Sequence, residues 1–135
     1  MPFIIYPQAD SKLAVITPTG DVQDAIKDVP AETPYAIVDS LQGIDNDYFN
    51  GFVYADGEAV ADIAACKGIH LDKFRSARAP KLASLDVQYM KAIEIEDSVA
   101  ASAIAVQKQE LRDVTKLTLP DTLPEIKATW PSILN

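Results

Sequence analysis

Cysteine occurs once in these 135 residues, at Cys66, so no disulfide can close within the chain and a cystine-stapled fold is excluded. Cys66 reads instead as a small buried apolar residue. Histidine also occurs once, at His70. Four residues apart on a helix, the two share a face, yet two ligands do not complete a zinc site. Five glycines are too sparse to build a phosphate-cradling loop. Ser11, Ser40, Ser76 and Ser84 have no histidine at a recognisable spacing, and there is no GxSxG elbow. A non-enzymatic protein without cofactor or metal is therefore expected. No apolar run approaches the ~18 residues of a membrane span. The opening MPFIIYPQAD lacks the basic start and the apolar length of a signal peptide, so the expected compartment is cytosol or a particle assembled in it. Positive charge is short as well, with 12 Lys and Arg against 20 Asp and Glu and a formal net charge of −8. Such a chain repels phosphate backbones and anionic membrane surfaces, which argues against both as partners.

What is present is enough apolar material for a core: 48% hydrophobic against 24% charged residues, a globular ratio rather than a disordered one. The first sixty residues read as a small antiparallel β unit. Phe3–Tyr6 is β-prone and closed by Pro7, and Leu13–Thr17 stops at Pro18, which suggests a hairpin. Asp21 caps a short helix over Val22–Lys27. Tyr35–Val38 and Phe49–Tyr54 predict a third and a fourth strand, and Asp56-Gly57 a tight turn into Glu58–Val60. The carboxylates of Asp45, Asp47, Asp56 and Glu58 lack the offsets of a calcium loop and read as solvated turns.

From Ala61 onward alanine dominates, and residues 61–135 predict a helical hairpin with a short C-terminal helix. The fold class is thus α+β. Leu71, Phe74, Arg78, Leu82, Leu85, Tyr89 and Ala92 recur at steps of three and four, one face of a helix starting near Asp62 and reaching about Ile93. Pro80 predicts a kink or break within it, since an interior proline removes a hydrogen bond and clashes with the preceding turn. After Glu94-Ile95-Glu96-Asp97-Ser98, with Asp97 or Ser98 as the cap, Ala100, Ile104, Gln107, Leu111 and Val114 form the facing stripe of a second helix. The three carboxylates at this tip have no burial that would tune them for acid chemistry. Thr122 with Glu125 fits a capping box, and Trp130-Pro131 ends the last helix.

Arg78 stands on the apolar stripe. Equal rise along both arms of an antiparallel hairpin puts it opposite Leu111–Asp113. A charge on a hydrophobic seam is costly unless paired, so a structural ion pair to Asp113 is expected, with Arg75 as second donor. On the second helix, Ala101, Ala105 and Lys108 form a strip beside the stripe. Together with Trp130 they are the expected partner-binding residues, the strip meeting another chain or the sheet.

The run Phe74-Arg75-x-x-Arg78-x-x-x-Leu82-x-x-Leu85-Asp86, then Lys108-Gln109-Glu110-Leu111-Arg112-Asp113 and Trp130-Pro131, resembles the C-terminal region of tailed-bacteriophage tail-fibre assembly proteins, or tail assembly chaperones. The likeness covers about residues 62–131, with Val87 where the family often has tryptophan. It implies a non-enzymatic phage protein that binds a tail-fibre polypeptide, assisting its folding and trimerisation or remaining attached to it. The alternative is a structural tail or fibre subunit that forms homo-oligomers through its helices. The implied location is the host cytoplasm during assembly, or the virion tail.

Overall fold

The computed structural model describes residues 2–135. The fold is α+β, with short antiparallel strands first and long helices after them. The chain divides into two compact units, Met1–Ile69 and His70–Asn135.

In the first unit, β1 (Phe3–Pro7) lies between β2 (Leu13–Ile16) and β3 (Ala36–Val38), antiparallel to both. The register pairs Ile4 with Ile16 on one side and with Ile37 on the other. Neighbouring residues on a strand point to opposite faces, and Ile4 and Ile5 are 0% and 1% exposed, so β1 is covered on both faces. A second antiparallel pair, β4 (Phe52–Ala55) and β5 (Glu58–Ala61), turns at Asp56-Gly57. Their φ angles of 48° and 84° are the two positive values a type I′ turn requires. An isolated bridge between Lys12 and Val53 links this hairpin to the sheet, and the Lys12 amine donates to the Asn50 carbonyl at 2.6 Å.

The short helix α1 (Val22–Ala25) starts at Asp21, whose carboxylate accepts the Gln23 N–H at 2.9 Å. The strand expected from Phe49 begins only at Phe52. Residues Asn46–Gly51 are a 3-10 segment, opened by Asp45, whose carboxylate accepts the Asp47 N–H at 3.0 Å. Local capping chemistry overrides the β propensity of Phe49 there.

Helix α2 (Ile63–Glu94) runs 32 residues without a break. Asp62 caps it, its carboxylate accepting from Ala65 and its carbonyl from Cys66. The break expected at Pro80 is absent. Proline removes the donor to the Ser76 carbonyl, but Ser76 and Pro80 are both exposed, so water can serve the freed oxygen.

In the second unit, α2 ends in a Schellman motif. The Asp97 N–H donates to the Ala92 carbonyl at 2.9 Å and the Glu96 N–H to Ile93 at 3.1 Å, with Glu96 in the left-handed region at φ 57°. Asp97 then caps α3 (Ser98–Asp113), its carboxylate accepting the Ala100 N–H at 3.0 Å. One residue closes one helix and opens the next, which makes the hairpin turn tight. After a 3-10 turn at Val114–Lys116, α4 (Leu123–Ala128) begins at Thr122. The expected capping box does not form, because the Thr122 side chain makes no cap bond. Pro124 already removes one of the N–H groups such a cap would serve.

Candidate functional site

The seam of the hairpin follows the stripe read on α2: Phe74 and Ala92 are buried, and Leu71, Arg78, Leu82, Leu85 and Tyr89 are half-buried. On α3 the buried or half-buried positions are Ala100, Ala101, Ile104, Lys108, Leu111 and Asp113, whereas Gln107 is exposed. The expected stripe holds at Ala100, Ile104, Leu111 and Val114 and shifts by one residue only at Gln107. Lys108 takes the place given to Gln107, because its amine reaches Asp86 at 2.6 Å while lying 5.3 Å from the Tyr89 ring centre. A long stem over an aromatic ring with its charge neutralised at the end suits a seam better than an amide does.

That shift corrects the expected partner strip. Ala101 is buried, Lys108 is held by Asp86 and Tyr89 of α2, and only Ala105 is open to solvent. Ala101 and Lys108, two turns apart, belong to the hairpin's own seam.

The ion pair between Arg78 and Asp113 is likewise replaced. Arg78 does lie opposite residues 111–113, but its guanidinium donates to the carbonyls of Arg112 at 2.9 Å and Leu111 at 3.3 Å, and meets the Thr115 hydroxyl at 3.5 Å. The last carbonyls of a helix have no intrahelical donors and carry the negative end of its dipole, so a guanidinium satisfies them directly. Asp113 bonds its helical neighbours instead, Lys116 at 3.0 Å and Gln109 at 2.9 Å. Those two bonds, Lys116 first, hold its carboxyl below the usual range. Arg75 turns to Asp72 at 2.6 Å, one turn back on α2.

Trp130 sits in an aromatic cluster. Its ring centre lies 5.4 Å from Phe74 and 6.2 Å from His70, both edge-on. The contact between His70 Nε2 and the Thr129 carbonyl, 2.7 Å, makes that nitrogen the protonated donor, since a carbonyl only accepts. With 41% of its surface exposed, Trp130 both anchors the C-terminal segment and borders a cleft of about 450 Å³ with Glu110, Leu117 and Ile133. Cys66 is fully buried beside Gly51, and burial, then the charges of Asp62 and Asp45, push its thiol up, away from the reactive thiolate. Among the described residues, no group of three His, Cys, Asp or Glu side chains is placed to hold a metal. Nor is any described helix long and apolar enough to cross a membrane.

Sequence reasoning missed the most unusual surface. Between Val87 and Val106 only Ala92 and Ala101 are buried, while Val87, Met90, Ile93, Ile95, Val99 and Val106 are all exposed. Ile95 and Val99, at the turn, are 73% and 80% exposed. Val99 and Val106 are seven residues apart and share the outer face of α3. The signal in the sequence is an excess of large apolar residues over what the two seam stripes use. No family model, no curated protein and no solved structure matches this chain.

Proposed function

We propose that this is a non-enzymatic phage protein that binds a tail-fibre polypeptide, assisting its folding and trimerisation or remaining attached to it. The supporting observation is the distal half of the hairpin, where six large apolar side chains stand exposed and only Ala92 and Ala101 are buried. Large apolar side chains left in water in such number mark an interaction surface. A fibre polypeptide awaiting trimerisation exposes apolar surface of its own, which this arm covers until the strands of the trimer meet. The resemblance of the Phe74–Asp113 run and Trp130-Pro131 to tail-fibre assembly proteins favours a fibre polypeptide as that partner. The protein then acts in the host cytoplasm during assembly or rides on the virion tail.

Co-expression with a tail-fibre polypeptide tests this reading. The fibre is expected to be soluble and trimeric with this protein and aggregated without it. Equal yields of trimer in both cases contradict the chaperone role. Fixed stoichiometry in the mature particle makes the protein a tail subunit instead.

A further inference from the structure

We propose that the cleft beside Trp130 is a receptor for an arginine side chain displayed on an apolar segment of a partner polypeptide. The cleft lies at the base of the hairpin, away from the exposed tip, and the proposal does not depend on which protein is the partner. Its walls are mostly apolar, with Leu117, Trp130, Pro131 and Ile133 beside Thr129 and Ser132. The indole is fixed by its edge contacts with Phe74 and His70, and the His70 bond to the Thr129 carbonyl pins the backbone just before it. Pro131 restricts the backbone just after it. A rigid aromatic wall is therefore ready before any ligand arrives.

Glu110 supplies the charge. It lines the cleft, and among the described residues it has no hydrogen-bond or ion-pair partner. Its helical neighbours three and four residues away are Val106, Gln107, Asp113 and Val114, none of them basic. Lys81 lines a neighbouring groove together with Glu110, but its amine is taken by the Asn135 backbone oxygen at 2.6 Å. Elsewhere on this unit Asp72, Asp86 and Asp113 are each neutralised by a lysine or arginine. Glu110 thus leaves an unbalanced negative charge on an apolar, aromatic wall.

Guanidinium fits that combination best. It is planar, weakly hydrated, stacks on indole and bonds a carboxylate through two N–H groups at once, whereas a lysine ammonium is a compact and strongly hydrated point charge. A second copy of this chain is a poor occupant, since each carries a net charge of −8.

Trp130 is the sole tryptophan, so its fluorescence reports on the cleft without a label. The full chain is titrated with the capped peptide acetyl-Leu-Arg-Leu-Arg-Leu-amide and with its counterpart carrying neutral citrulline for arginine. The arginine peptide is expected to shift Trp130 emission saturably, with affinity falling as salt is raised. Citrulline, or the variant Glu110→Gln, is expected to weaken binding by about tenfold or more. Glu110 is exposed, so this variant keeps the fold, which its melting curve verifies. No saturable shift, or equal affinity for both peptides, or an unchanged affinity in Glu110→Gln overturns the proposal. Sedimentation of the chain alone completes the test: self-association that Glu110→Gln abolishes gives the cleft to a second copy and overturns the proposal too.

Discussion

The guanidinium of Arg78 donates to the backbone carbonyl of Arg112 at 2.9 Å, across from the middle of α2 to the end of α3. The hairpin base is therefore held by a charged donor on helix-terminal carbonyls, with no carboxylate involved. Arg78→Ala is expected to destabilise the fold by about 1.5–3 kcal/mol, the range for hydrogen bonds to charged groups. Asp113→Leu is expected to change little. Urea denaturation of both variants checks this, and equal losses would restore an ion pair between them.

Asp113 makes a separate prediction in pH. Its bonds to Lys116 and Gln109 lower its folded pKa, so its contribution is complete above the unfolded value of about 3.9 and disappears as pH falls through the folded value. Asp113→Asn is expected to lose that small contribution at neutral pH and to match the wild type in strong acid. Melting temperatures measured from pH 7 down to pH 2 test the convergence.

The turn at the tip holds one residue in an unfavourable conformation and one in a necessary role. Glu96 adopts φ 57°, where glycine has no steric penalty, so Glu96→Gly is expected to stabilise by up to about 1 kcal/mol. Asp97→Ala removes the α3 cap and is expected to cost about 1 kcal/mol. Opposite signs from adjacent residues in the same denaturation assay are the outcome to look for.

In the first unit, a Cβ on Gly51 would stand 2.7 Å from Cys66 Sγ and 3.2 Å from the Cys66 backbone nitrogen. Neither can retreat easily, since Cys66 is fully buried in the first turn of α2. Gly51→Ala is expected to destabilise by about 1–3 kcal/mol, as overpacking does. Cys66→Ala in the same chain is expected to restore part of that loss.

The α2 stripe from Leu71 to Ala92 was legible because long helical periodicity is the strongest pattern a sequence carries, and the Asp21 and Asp62 caps were legible for their local chemistry. The α3 stripe slipped by one residue at Gln107 and Lys108, because periodicity ranks a lysine as polar and does not see Tyr89 and Asp86 waiting across the seam. Counting along the hairpin placed Arg78 correctly yet named the wrong acceptor, since pairing rules look at side chains and the free acceptors were backbone carbonyls. Phe49 misled because the Asp45 cap nearby outweighs its strand propensity. The exposed tip escaped notice for a different reason: pattern reading assigns apolar residues to a core, and Ile95 and Val99 are in none.

Binding of a tail-fibre polypeptide at this tip, as we propose, is decided by size-exclusion chromatography of the two co-expressed chains. Ile95→Lys with Val99→Glu replaces the two most exposed apolar side chains: Ile95 directly follows the end of α2, where a cation suits the helix dipole, and Val99 lies in the first turn of α3, where glutamate does. The wild-type protein is expected to co-elute with the fibre polypeptide, and the double variant, melting at the same temperature, to elute alone. A double variant that still co-elutes in full, or a wild-type protein that never does, contradicts binding at the tip.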